Sequence, residues 1–316
     1  RDKEIRAAAA SQASALVELG EALPASIRLG TSSWSFTGWT DLVYEGHHSQ
    51  TLLSRRGLSA YSKHPLLRAV GIDRSYYGPL DAETYAGFAE QVPAGFRFLA
   101  KAYEGLTVAR YPDHPRYGAN RRQANPFFLD DTLAREAVVE PFVQGLGARG
   151  GVILFQLPPM SPAAVGGPQA FAKRLRGFLS RLPPGPLYAV ELRTAQLLTR
   201  DYQAALDDTG AVHCVSVHPS MPSPSRQARY RDPDRPLVAR WMLRRELAYG
   251  EAKEAFAPFD RIVEPDPVHR DELAELCVEA TERGREVLVS INNKAEGCAP
   301  LSAIGLAEAI VERLGL

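Results

Sequence analysis

The chain is poor in cysteine, in charge imbalance and in long apolar runs, and each scarcity removes a class of protein. Its three cysteines, Cys214, Cys277 and Cys298, are too few and too scattered for a disulfide scaffold, and no C-x-x-C occurs. That usage suits a reducing compartment, so the cytoplasm is the expected location. Lys plus Arg and Asp plus Glu each total 37, which leaves no global field to recruit nucleic acid or an anionic membrane. No stretch approaches the roughly 20 apolar residues of a membrane helix. Residues 1–26 lack the continuous apolar core of a secretory signal and read as a peripheral helix. Also missing are a G-x-G-x-x-G after the first apolar run, a Walker glycine loop, H-x-H, H-E-x-x-H and G-x-S-x-G. No cofactor and no metal ligand set is therefore assigned.

What is present is an alternation. Short β-rich apolar runs begin at Ile27, Val70, Phe96, Gly151, Leu187, Val212, Leu237 and Glu286, separated by segments of helical periodicity. Those segments carry their own punctuation. One opens on Asp81, another places Pro168 in a first turn, and the last is closed by Gly315. Eight such units in 316 residues predict an α/β fold of the (β/α)8 TIM type, one domain over 27–316, with an extra N-terminal helix. Two connections, 105–128 and 220–236, are long and rich in Pro, Arg and Tyr. Both follow the C-terminal end of a strand, the active-site face of such a barrel. They read either as a lid or specificity loop or as solvated surface insertions.

Side chains alternate across a strand, and the face toward the helices is the continuously apolar one. This sorting sends Tyr188, Val190 and Leu192 outward and Glu191 and Arg193 inward. Applied to every run, it collects Asp73, Lys101, Gln156, Glu191, Arg193, His218, Arg240 and Asn292 at one end of the barrel, with Trp34 from the first strand. Charges are a costly filling for a core that aliphatic residues fill well, so the cluster reads as a ligand site. A structural ion network is the competing reading, since two carboxylates nearly pair with three cations. As a site, it assigns catalysis to Glu191 as acid or base with Lys101 and Asp73. Trp34, Gln156, Arg193, His218, Arg240 and Asn292 bind a small anionic or polyhydroxylated substrate.

The ordered series GTSSW with FTGW, Asp73 with SYY, GFRFLAK, ILFQLPP, AVELR and INN with a later G-x-A-P resembles the YecE-like family, also known as domain of unknown function 72. The resemblance runs from about Ile27 to Leu314 and implies a TIM-type barrel and no established reaction. It places Gly30, Ser33, Trp34 and Trp39, Lys101, the Gln156-Leu-Pro-Pro run, the Glu191/Arg193 pair, Arg240, and Asn292, Asn293, Gly297 and Pro300 on the family's motif positions. The chain departs where the commoner pattern has Glu-x-Asn on the second strand: here stand Gly71 and Asp73. It also lacks the His and Trp that usually follow the E-x-R pair, which marks a divergent member.

Two other functions compete. A metal-dependent hydrolase or isomerase would use Asp73, Glu191 and His218, although only one histidine points inward. A nucleic-acid or phosphoanion binder would use Arg110, Arg116, Arg121, Arg122, Arg226, Arg229 and Arg231 beside Tyr111, Tyr117 and Tyr230.

Overall fold

The computed structural model describes residues 7–243 and 254–316. Eight strands, β1 (Ile27–Thr31), β2 (Leu67–Ile72), β3 (Arg97–Lys101), β4 (Gly150–Gln156), β5 (Leu187–Glu191), β6 (Val212–Val217), β7 (Leu237–Trp241) and β8 (Val287–Ile291), pair in sequence order as a closed parallel barrel. Closure comes from β8 lying along β1, with Ile27 opposite Val287 and Thr31 opposite Ile291. This is the TIM-type barrel expected from the alternation. Seven strands start within one residue of the expected position, whereas β2 starts at Leu67 rather than Val70. Arg68 interrupts the apolar run there, and its guanidinium turns out to serve the carbonyls of Leu23 and Pro24.

Among the described residues, helices of seven or more residues are α1 (Ser14–Ala22), α2 (Gln50–Arg56), α3 (Ala82–Ala89), α4 (Glu140–Leu146), α5 (Pro168–Leu179), α6 (Arg200–Asp207), α7 (Pro267–Glu282) and α8 (Ala299–Leu314). Their ends follow the local chemistry. Asp81 accepts from the Thr84 N–H at 2.8 Å, Pro168 stands in the first turn of α5, and Gly315 takes the left-handed conformation (φ 68°) that closes α8. Among the described residues the expected N-terminal helix covers α1; residues 7–13 before it are irregular, and Ala9 forms an antiparallel bridge with Tyr44. Between β6 and β7 the crossover shrinks to one α-helical turn, Pro224–Gln227, and a 3-10 turn, Ala228–Tyr230. Prolines at 222, 224, 233 and 236 deny this segment a longer helix, and the buried Gln227 amide fastens it to β6 through the Ser216 N–H (3.0 Å) and C=O (2.7 Å).

The two faces of the strands build two cores. Val70, Ile72, Phe98, Phe155, Val190, Val215, Trp241 and Val289 face the helices in one large cluster. Ala69, Leu99, Val152, Leu154, Ala189, Val212, Cys214, Val238 and Leu288 fill the barrel interior. Full burial of each aliphatic side chain is worth roughly 1.5–3 kcal/mol, so a one-residue slip of any strand would forfeit several such terms at once. The apolar filling ends where the polar cluster begins. All three cysteines are buried and unpaired, and no helix among the described residues is long and apolar enough to cross a membrane.

Candidate active site

Glu191 is the last residue of β5 and is fully buried. One carboxylate oxygen accepts from Arg193 Nε at 3.0 Å and the other from Arg240 Nη1. Gln156, at the end of β4, accepts from the same two arginines through Oε1, at 2.9 Å from Arg240 and 3.1 Å from Arg193. Three strands and Arg193, two residues past β5, thus meet in one network. Burial pushes the Glu191 carboxyl up, but Arg240 and then Arg193 outweigh it and bring its pKa down to about 2. Arg240 is itself wholly buried. Its Nε and Nη2 have no hydrogen-bond partner among the described residues, and Nη2 lies 3.9 Å from Asp73 Oδ1.

A second, more accessible layer lies above this pair. Lys101, closing β3, places Nζ 3.0 Å from Asp73 Oδ1; the Asp73 side chain is 34% exposed, that of Lys101 11% and that of Arg193 17%. Asp73 falls one residue beyond β2, and Ser75 holds this turn to the barrel by donating to the carbonyls of Ile72 (2.8 Å) and Lys101 (2.7 Å). Burial lowers the Lys101 pKa, Asp73 partly opposes it, and the outcome is about 8. His218, just past β6, accepts at Nδ1 from the Ser220 N–H (3.2 Å), which leaves its proton on Nε2. Burial, then Arg193, depress its pKa to about 4, so it is a neutral imidazole.

The structure thus brings together Asp73, Lys101, Gln156, Glu191, Arg193 and Arg240, with His218 on the Arg193 side. Two predicted members are engaged by other partners. Trp34 donates from Nε1 to the Leu53 carbonyl at 3.0 Å and meets Phe88 edge-on at 5.2 Å, packing α2 and α3 against the barrel instead of lining its mouth. The expected inward phase fails because β1 ends at Thr31, and alternation has no meaning beyond the ladder. Asn292 donates to Ser32 Oγ at 2.8 Å and accepts from the Lys294 N–H at 3.0 Å. It ties β8 to β1 and makes no bond to Lys101 or Glu191. Its neighbour Asn293 accepts from the Ala299 N–H at 2.8 Å, fixing the start of α8.

Sequence reasoning missed Tyr76 and Glu104. The Tyr76 ring lies 5.6 Å from Lys101 Nζ, and burial followed by Glu104 pushes its phenol up to about 12. Its signal was the SYY that begins two residues after Asp73. Glu104 is buried three residues past Lys101 and receives Arg116 (2.6 Å) and the Tyr117 hydroxyl (3.0 Å). The loop arginines are largely engaged as well: Arg121 and Arg122 hold Asp113, and Arg231 is buried 3.6 Å from Glu279. Among the described residues, no three His, Cys, Asp or Glu side chains are grouped to hold a metal ion.

A closed parallel barrel defines the class: a TIM-barrel protein, here with a charged cluster at its C-terminal mouth, the face that carries the active site in enzymes of this fold. The profile of the family described as "Protein of unknown function DUF72" matches residues 28–315, and the chain belongs to that family. It is similar to a DUF72 family protein of Enterococcus faecalis V583 (TM-score 0.59, 18% identity, 90% of this chain and 95% of that one). It is likewise similar to one of Thermotoga maritima MSB8 (TM-score 0.57, 18% identity, 92% and 99%). At such identity these two support the fold alone. UPF0759 protein YunF of Bacillus subtilis is 26% identical over 125 residues, a match spanning 39% of this chain and 38% of that protein.

Proposed function

We propose that this chain is an enzyme acting on a small anionic or polyhydroxylated substrate at the barrel mouth, with Lys101 and Asp73 as the groups that meet it. A charge count carries the reading. Among the described residues, Lys101, Arg193 and Arg240 face only Asp73 and Glu191, which leaves one positive charge over in a largely buried cluster. Such an excess is costly unless a ligand anion completes it. Lys101 and Arg193 are the cations a ligand reaches, and Arg240 adds its charge from beneath. With a pKa of about 8, Lys101 is neutral in roughly a tenth of molecules at pH 7, so both protonation states are available for proton transfer. Glu191, enclosed and held at both oxygens, serves as the positioning residue for the two arginines rather than as the acid or base itself. The engaged loop arginines speak against a nucleic-acid track.

Thermal-shift measurements with sulfate, phosphate, small carboxylates and sugar phosphates, each at millimolar concentration, test the reading. At least one is expected to raise the wild-type Tm, and Lys101→Met and Arg193→Met to abolish the rise. NMR of the stabilising compounds then shows whether they are turned over, with Lys101→Met inactive. If no compound in the panel stabilises the wild type, the anion site is wrong.

A further inference from the structure

Beside the charged cluster lies a cavity of about 440 Å³ whose walls include Tyr77, Tyr103, Tyr111, Tyr117, Arg116 and Glu104. Its size falls within the range of small-ligand sites, roughly 300–1,000 Å³. We infer that this cavity holds the planar base of a nucleoside monophosphate whose phosphate sits on Lys101 and Arg193; the inference rests on the anion site proposed above.

The walls are rich in π surface. The Arg116 guanidinium lies 4.7 Å from the Tyr117 ring centroid and 5.8 Å from that of Tyr77, while Tyr111 and Tyr117 stand 5.4 Å apart. Aromatic and guanidinium planes are the surfaces on which bases stack. Tyr77 is 67% exposed even though its ring meets Tyr76 and the Arg116 guanidinium. The cavity is also built rather than incidental. Asn125 donates to the carbonyls of Gly105 and Val108, both at 2.7 Å, and receives the Tyr111 hydroxyl at 2.8 Å. Gly105 leaves room for the Tyr103 ring, into which a Cβ would collide.

Charge fixes the direction of the ligand. Glu104 makes the cavity hostile to phosphate, whereas Lys101 stands two residues before Tyr103 and lies 5.6 Å from the ring of Tyr76. That ring is in turn 5.4 Å from Tyr77. One tyrosine therefore separates the anion site from the π-walled cavity. A free nucleotide fits better than a strand because Arg116, Arg121 and Arg122 are engaged by Glu104 and Asp113 and offer no phosphate track.

Calorimetric titration of the full chain with AMP, GMP, CMP, UMP, ribose 5-phosphate, inorganic phosphate and a single-stranded oligonucleotide tests the assignment. At least one mononucleotide is expected to bind about ten-fold or more tightly than ribose 5-phosphate. Tyr77→Ala should bring it down to the ribose 5-phosphate level and Tyr77→Phe should retain it, with unchanged circular dichroism in both. Equal binding of nucleotides and ribose 5-phosphate, both weakened by Lys101→Met, overturns the base site and leaves the anion site standing. Failure of every phosphate compound to bind overturns both. Tighter, salt-sensitive binding of the oligonucleotide than of any mononucleotide overturns the free-nucleotide assignment in favour of a strand.

Discussion

Replacing Glu191 with Gln keeps the shape of the side chain and removes the charge that Arg240 and Arg193 share. The magnitude follows from two directions. A carboxyl that titrates at 4.5 when unperturbed and at about 2 in this site contributes roughly 3 kcal/mol of stability at neutral pH. Independently, removing one partner of a buried ion pair costs about 3–5 kcal/mol, because the remaining charge stays desolvated; here that charge is Arg240, with no exposed surface. The folded pKa lies below the unfolded one, so this stability is fully present above about pH 4.5 and is lost as pH falls through 2. Urea denaturation at pH 7 should therefore place Glu191→Gln about 3 kcal/mol below wild type, and the gap should narrow steadily below pH 4.5. The double variant Glu191→Gln/Arg240→Met should recover part of the loss, since the uncompensated charge is gone. A single variant within about 1 kcal/mol of wild type at pH 7 would refute the account, as would a gap that does not change with pH.

The remaining expectations concern the accessible layer and the barrel wall. Sulfate keeps one charge state through the neutral and alkaline range, so its affinity should fall as pH rises through about 8, where Lys101 loses its proton; in Lys101→Met the calorimetric affinity should be weak and flat across the same range. Gly30→Ala should destabilise by more than 2 kcal/mol on the order of a severe core defect, because a Cβ there would strike the Ala69 carbonyl across β1 and β2. Equal urea midpoints for Gly30→Ala and wild type would show that the two strands separate more easily than their spacing implies.

The barrel was legible because burial on both faces imposes a period of two on every strand, and that period survives in single residues such as Tyr188, Val190 and Leu192 against Ala189 and Glu191. The inward set Lys101, Gln156, Glu191 and Arg240 followed from it directly. Legibility stopped at the strand ends. Trp34 stands three residues past β1 and obeys the packing of α2, which no strand phase encodes. Asn292, just past β8, points to Ser32, just past β1, a contact that exists only because the barrel closes. Partner choice was equally hidden. That Glu191 takes Arg240 as well as its sequence neighbour Arg193 depends on β5 and β7 sharing one mouth, 49 positions apart in the chain. The engagement of Arg116 by Glu104 depends on a long loop folding back over β3, where Pro and Gly erase periodicity.

On the proposed function, the competing readings of the cluster, ion network and ligand site, describe two depths of it. Glu191, Gln156 and Arg240 form a closed and buried unit; as structure alone it is a poor use of a barrel core, because an ion pair of this kind rarely outperforms aliphatic packing. Its value lies in what it does to the groups above it. Arg240 keeps a permanent charge beneath Asp73 and Lys101, and that charge helps depress the lysine pKa toward the neutral range while burial supplies the larger part. Glu191 in turn fixes Arg193 with its guanidinium partly exposed. A lysine poised near neutrality, a carboxylate beside it and a fixed guanidinium at the rim are what a proton-transferring anion site requires. On the proposed function, the buried pair is the foundation of that arrangement, and this accounts for charges so unfavourable for packing at the top of the core.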